Sequence, residues 1–488
     1  MGTVRFGTSG WRAIIAEDFT FRNVEAVARA IGEVAREDSP AGDTVSLAIG
    51  YDGRFLSESF ARTCALVLCA DGVKVLLPRH VVPTPVISYV VRALRLTGGI
   101  VVTASHNPPE YNGLKYSPAD GAPASPEVTR RIEMRANAHM AETVSRARFP
   151  AAGAAQQELV DAAVRNRDVE WLDPYEAYRA HLFNRVQVDI LRRARLRVVA
   201  DVFYGAGRGY LPQLLQDAGC QVTALHEEAN PLFGGRRPDP LGENVRELAQ
   251  IVRESDAVLG LAVDGDADRF GIVDGDGCYI AANYVLALLF DYLVESRGWR
   301  GEVVRSVVTS HLLDAVAAAR GVSVHQTPTG FKFIGARLVD NPHEFILGGE
   351  ESNGLTIRGH VPEKDGVLAC LLVAEMVAAR GQSLRACLGD LFSHVGERCA
   401  DRLDLELGET DKQALLRRLA ENPPHDIGGL AVSHVERLDG FKFLLADGGF
   451  VAFRASGTEP LVRCYLDATG RAALDAMRGG VRAIVGSV

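Results

Sequence analysis

The chain has 488 residues, 47% of them apolar and 24% charged, and its 62 acidic against 53 basic side chains leave a net charge of −9. At roughly 150 residues per domain this is a soluble globular chain of about three domains, with two or four also compatible. The acidic balance excludes a general attraction to nucleic acid or to an anionic membrane, so any phosphate binding must come from local positive charge.

The first segment, MGTVRFGTSGWR, has no apolar signal region. VSLAIGYD (45–52) predicts a strand, FARTCALVLCADG (60–72) a helix closed by Gly72, and VKVLLP a strand. PTPVISYVVRALR predicts a helix with Pro near its start, and GGIVVTAS a strand running into a polar loop. This alternation implies a largely parallel sheet covered by helices. Two similar blocks follow, LRVVADVFYGAG to FGIVDGDG and EVVRSVVTS to FILGGEESNG. The stretches 122–170 and 392–412 are rich in Ala, Arg and Glu and read as connecting helices and linkers. The last stretch has closely spaced strands with Gly turns and then a helix, a small antiparallel α+β unit. The longest apolar segment, NYVLALLFDYLVE, is cut by Asp291, and no run reaches the ~18 residues of a membrane span. Eight cysteines, none at CxxC spacing, predict buried thiols in a reducing compartment, hence a cytoplasmic protein.

Four loops carry candidate chemistry. TASHNPPEYNGLK (103–115) places Ser105 beside His106 at the end of a strand, with Lys115 beyond. That pattern fits a nucleophile or phosphate carrier, and equally a polar turn capping the next element. DGDADR (264–269) sets Asp264, Asp266 and Asp268 at alternate positions after an apolar strand. Clustered carboxylates favour a hard cation, Mg²⁺ over Zn²⁺, and the spacing is not that of an EF-hand; a solvated turn is the alternative. GGEESNG (348–354) offers Glu350 and Ser352 for sugar hydroxyls, or a Gly-rich surface turn. RASGTEPLVR (454–463) combines Arg454, Ser456, Gly457, Thr458 and Arg463, either an anion nest with forked donors or a hairpin turn. FYGAGRGY (203–210) lacks the GxGxxG spacing of a dinucleotide site, and TPTGFK adds Thr329, Gly330 and Lys332.

In their order, FGTSGWR, TASHNP…NGLK, DGDADR, GGEES and RASGTEP resemble the α-D-phosphohexomutase superfamily over nearly the whole chain. The resemblance implies an α/β fold of three mixed-sheet α/β domains plus a smaller C-terminal α+β domain around a central cleft. The divisions expected are 1–168 with the phosphoserine loop, 169–279 with the metal-binding loop, 280–396 with the sugar-binding loop and 397–488 with the phosphate-binding loop. Ser105 is then the phosphoserine, and its phosphate with Asp264, Asp266 and Asp268 holds one Mg²⁺. Lys115 matches the general acid/base, supported by His106, and Arg12 and Arg269 face the reacting phosphate. Thr329, Gly330, Lys332, Glu350, Ser352 and Lys364 are assigned to the substrate, and Arg454, Ser456, Gly457, Thr458 and Arg463 to its distal phosphate.

The implied activity interconverts glucose 1-phosphate and glucose 6-phosphate through a bisphosphorylated sugar, with a sugar 1,6-bisphosphate as activator. Lys115 can serve as the base only with a depressed pKa. GEES, TPTGFK and HVPEKDG are similar to phosphoglucomutases, while Asn353 and Trp11 depart from the residues commoner in the family. A phosphomannomutase or dual-specificity enzyme is the alternative. A metal-dependent glycosyltransferase and a non-catalytic sugar-phosphate binding protein are the readings of other classes. The expected partners are hexose phosphates, with no nucleic acid or membrane, in a monomer or dimer.

Overall fold

A computed structural model of the chain describes residues 3–7, 10–142, 148–455 and 461–486. Ser456, Gly457 and Thr458, assigned above to phosphate binding, lie outside the described residues. The fold is mixed α/β: three α/β/α domains and a C-terminal domain with an antiparallel sheet. Two compact units contain them, Met1–Ile280 with Gly335–Pro342 and Asn353–Ser383, and Ala281–Ile334 with His343–Ser352 and Leu384–Val488.

The first unit opens with a seven-stranded sheet in the order Phe6–Gly7, Gly10–Ile14, Tyr111–Pro118, Gly98–Val102, Ser46–Tyr51, Lys74–Pro78, Val169–Leu172. The last four of these run parallel, connected by helices such as Ser57–Ala70 and Thr84–Ala93. The first three pair antiparallel, so the sheet is mixed and not largely parallel. The reason is the short link from Val102 to Tyr111: a parallel return needs a crossover of about a dozen residues or more. This abrupt reversal lifts Ser105 off the end of Gly98–Val102 and places Lys115 opposite Val101 on the returning strand. Helix Phe21–Asp38 covers the sheet. Thr20 accepts from the Asn23 N–H at its start, and Val24, Val27, Ile31 and Val34 recur on its buried face. Each such side chain contributes about 1.5–3 kcal/mol on burial.

The second sheet of this unit runs Tyr279–Ile280, Phe270–Asp274, Leu259–Val263, Arg197–Asp201, Gln221–Leu225. Leu259–Val263 is buried throughout, and a tight turn joins it to the antiparallel Phe270–Asp274. That turn is DGDADR. Helix Gly366–Arg380 is almost wholly apolar and buried, and Asp365 caps it by accepting from the Leu368 N–H.

In the second unit, parallel strands Ser323–Thr327, Glu302–Ser306 and Phe345–Glu350 lie side by side in that order. Its other sheet is antiparallel: Cys399–Glu406, Leu461–Ala468, Phe450–Ala455, Phe441–Leu445, Leu430–Glu436, Asp426–Ile427. Helices Glu409–Glu421 and Arg471–Val485 back it through Leu415, Leu419, Leu474, Met477 and Val481.

Two linker expectations are corrected. The stretch 122–170 does carry helices, Pro126–Glu142 and Ala154–Arg165, but Val169 begins an edge strand, so the first sheet reaches past the expected boundary at 168. The stretch 392–412 contains Cys399–Glu406, a full strand of the C-terminal sheet. Among the described residues, no single helix is long and apolar enough to cross a membrane.

Candidate active site

Ser105 is buried and has φ +54°, a left-handed conformation that non-glycine residues adopt at a cost of about 1 kcal/mol or more. Its Oγ donates to Asp264 Oδ2 at 2.7 Å and lies 3.3 Å from His106 Nδ1. The loop DGDADR can come this close because Gly265 has no side chain: a Cβ there would lie 2.5 Å from the Ser105 carbonyl oxygen. Gly205, in FYGAG, packs in the same way against Gly265, which gives that glycine-rich stretch a packing role.

Asp264, Asp266 and Asp268 are all buried, and each presents one carboxylate oxygen within 4.8 Å of the others. Asp264 Oδ1 accepts from the Arg269 N–H at 3.0 Å. Thr84 is hydrogen-bonded to Asp266 through both its hydroxyl and its N–H. Among the described residues, Asp266 Oδ1 and Asp268 Oδ1 are buried without a hydrogen-bond partner. Burial, followed by the charges of Asp266 and Asp268, pushes the Asp264 carboxyl well above the usual carboxylate range. Buried oxygens that still lack donors, in an all-oxygen set, fit a hard dication such as Mg²⁺.

Two lysines lie in this acidic cluster. Lys115 Nζ contacts Asp266 Oδ2 and Asp268 Oδ2, each at 2.6 Å. Lys364 Nζ is 3.1 Å from Asp268 Oδ2 and 2.7 Å from Glu363 Oε1. Burial lowers the Lys115 pKa, but the two carboxylates outweigh it and the net shift is upward, opposite to what a free base requires. Burial alone would raise Asp268, yet Lys115, Lys364 and Arg269 together hold it well below the usual range. Arg12 donates to Asn107 Oδ1 at 2.7 Å, and burial followed by Arg269 lowers its pKa to about 10, so it stays charged. Burial followed by Arg269 and Arg12 holds His106 well below its ordinary value, so the imidazole is neutral at physiological pH. Ser105, His106, Lys115, Arg12, Arg269, Lys364 and the three aspartates all belong to the first unit.

The sugar and phosphate candidates belong to the second unit. Glu350 is buried at the end of Phe345–Glu350 and accepts from the Gly330 N–H at 2.7 Å, fastening the TPTGFK loop; Ser352 is half-buried. Lys332 is half-buried, its pKa lowered by burial and then by Arg454. Arg454 and Arg463 stand directly opposite each other on adjacent antiparallel strands. Like charges in that relation repel, which an anion between forked donors would relieve. Asp439 Oδ2 accepts from Arg454 Nε at 2.8 Å and from the Thr329 N–H at 3.0 Å, tying two candidate phosphate loops together.

Sequence reasoning missed Asp439, Glu363, Thr84, Thr103, Asp52 and Arg54. Thr103 and Glu363 lay unremarked inside TASHNPPEYNGLK and HVPEKDG, and Asp52 and Arg54 in the polar YDGR that follows a strand as DGDADR does. Trp11 and Asn353, the two departures, have plain roles. Trp11 is buried against Phe19 at 4.9 Å. Asn353 takes φ +69°, which Asn tolerates, and donates to the Phe270 carbonyl at 2.7 Å.

Sequence profiles described as phosphoglucomutase/phosphomannomutase match the chain in four parts: alpha/beta/alpha domain I at 3–143, domain II at 176–277, domain III at 281–395 and the C-terminal domain at 406–484. A Methanopyrus kandleri protein named a probable phosphoglucosamine mutase is 31% identical, with 95% of this chain and 93% of that one aligned. A Komagataeibacter xylinus phosphoglucomutase is 30% identical over 96% of this chain and 88% of its own. A crystal structure from Thermus thermophilus, described as a candidate phosphomannomutase, is 32% identical with a TM-score of 0.83, covering 99% of both chains.

Proposed function

The chain belongs to the phosphoglucomutase/phosphomannomutase family of the α-D-phosphohexomutase superfamily, and from that premise we propose that it interconverts glucose 1-phosphate and glucose 6-phosphate through a phosphoserine at Ser105. The family consists of Mg²⁺-dependent phosphotransferase mutases. The observation that carries the proposal is the 2.7 Å hydrogen bond from Ser105 Oγ to Asp264 inside the buried triad. A hydroxyl in that place can hold a phosphoryl group beside the oxygens of Asp264, Asp266 and Asp268, which with a phosphoserine oxygen would hold Mg²⁺. When bound, the ion supplies neutralisation of the phosphoryl charge.

Arg12 and Arg269 balance the rest of that charge. The sugar hydroxyl takes the phosphoryl group as the P–Oγ bond of Ser105 breaks, and the hydroxyl proton ends on Ser105 Oγ. Lys115 moves that proton. Paired with Asp266 and Asp268 it holds a proton and serves as the acid; it becomes a base when those carboxylates are neutralised, because they are the main charges that raise its pKa against burial. His106, neutral beside Ser105 Oγ, can accept or pass a proton but is too weak a base to store one. The bisphosphorylated sugar then reverses, and the second transfer restores phosphoserine and releases the isomer. A sugar 1,6-bisphosphate primes enzyme that has lost its phosphate. Glu350 and Ser352 bind ring hydroxyls. Lys332, Arg454 and Arg463, with Thr329, Gly330, Ser456, Gly457 and Thr458, bind the distal phosphate, and Lys364 adds a cation at the reacting end.

Glucose is placed first because GEES carries Glu351, as in phosphoglucomutases, and the Komagataeibacter relative bears that name. Relatives named for mannose and glucosamine phosphates support broader specificity as the second reading. Glucose, mannose and glucosamine 1-phosphates assayed side by side, with Mg²⁺ and bisphosphate, decide it. Glucose 1-phosphate is expected to have the highest kcat/KM, and a tenfold or greater preference for either of the others would reassign the substrate.

A further inference from the structure

We propose that Arg54, held by Asp52, is a positioning residue for phosphoryl transfer: one buried guanidinium fixes the backbone that carries Ser105. The role in transfer rests on the mutase reading of Ser105; the positioning itself does not.

Arg54 is 3% exposed and its five N–H donors all have acceptors. Nη2 donates to the carbonyls of Ser105 at 2.5 Å and Asn107 at 2.8 Å, and Nη1 to those of Pro108 at 2.7 Å and Tyr111 at 3.0 Å. Nε donates to Asp52 Oδ2 at 3.0 Å. The Phe233 ring covers the guanidinium at 5.0 Å. Asp52 in turn accepts from the Thr103 hydroxyl at 2.6 Å, and that hydroxyl accepts from the Ser105 N–H at 2.8 Å. Ser105 is therefore gripped at both ends of its backbone, and both grips trace to one buried ion pair. Its φ of +54° is a conformation that must be imposed from outside, and this network imposes it. Lysine could not replace Arg54, because a compact ammonium with three donors cannot span four carbonyls. Among the described residues, no hydrogen bond or ion pair joins the Arg54 side chain to the Ser105 hydroxyl or to the three aspartates; its charge is felt by Asp266 and Asp264, and its hold on the serine loop passes through the main chain.

The test uses the full-length protein with Arg54→Lys, Thr103→Val and Thr103→Ser. Folding is checked by thermal melting, kcat and KM for glucose 1-phosphate are measured, and hydrogen–deuterium exchange is followed over 103–112. Arg54→Lys and Thr103→Val are expected to lose about 10²-fold in kcat with KM within about threefold, as misplacement of a reacting group does. Exchange is expected to rise in 103–112 and stay unchanged elsewhere in the first unit. Thr103→Ser, which keeps the hydroxyl, should recover to within about threefold of the original kcat. Folded variants with unchanged exchange in 103–112, or with exchange raised evenly across the unit, would overturn the positioning role. A kcat within about threefold despite a loosened loop would overturn its link to transfer. If Arg54→Lys does not fold, Thr103→Val decides. An unmutated protein inactive on all three hexose 1-phosphates would defeat the mutase reading, while the exchange measurement still judges the positioning.

Discussion

Ser105 has its chemistry set by neighbours distant in sequence: Asp264 accepts a hydrogen bond from its hydroxyl and Arg54 donates one to its carbonyl. Replacing Ser105 by Ala removes the atom on which the proposed transfer depends and little packing. The expected result is a folded protein with kcat lowered by roughly 10⁵-fold or more in the coupled assay; a glycosyltransferase or a non-catalytic binder would show no such loss. Ser105 and the three aspartates were legible in the sequence because each follows an apolar strand, where polar residues have a reason to collect, and Lys115 because it closes the same polar segment as Ser105. Arg54 was not, because four of its five donors go to main-chain carbonyls, which carry no residue identity. The direction of the Lys115 shift was hidden as well: it depends on two carboxylates brought in from more than a hundred positions away.

At the scale of elements, the turn Asp264–Arg269 is held between a buried strand and the serine loop. Gly265→Ala would put a Cβ against the Ser105 carbonyl, so one loop must shift. We expect kcat to fall about 10²-fold while the protein melts as a folded species; unchanged kcat would contradict the packing described. The same turn should respond to metal. Mg²⁺ at a hundred times its Kd should stabilise the protein by about 2.7 kcal/mol, read as a rise in Tm that Asp266→Asn diminishes, and chelation should abolish turnover. The two strands that flank this turn were legible as apolar runs. Cys399–Glu406 did not show itself, since Asp401, Arg402, Asp404 and Glu406 interrupt its apolar pattern and it lies at the edge of its sheet. Three of its charges are accounted for locally, Asp401 by Arg478 and Arg402 by Asp404.

At the largest scale, the second unit joins its parallel strands to the antiparallel sheet through Val307, Val308, Phe450, Ala452 and Tyr465, with a polar seam alongside. In that seam Asp467 accepts from Ser310, the His311 N–H and Arg398, and Lys442 Nζ is 2.9 Å from His311 Nε2. Burial, then Arg305, lowers the Lys442 pKa from 10.5 to about 8. Below pH 8 the residue is protonated both folded and unfolded, and burying the charge costs about 3 kcal/mol. Between pH 8 and 10.5 the folded state releases the proton first, so this contribution to stability rises with pH. Melting curves should therefore show the original protein gaining on Lys442→Met from pH 8 towards 10; a constant difference would contradict a charged, buried Lys442. For the molecule as a whole, the most direct test follows the phosphoryl group itself. The protein is incubated with glucose 1,6-bisphosphate and Mg²⁺, its intact mass and peptides are measured, and the washed protein is then given glucose 1-phosphate. The account predicts one phosphoryl group, on Ser105, that leaves to the sugar. A modification on another residue, or turnover by a protein that never carries one, would contradict it.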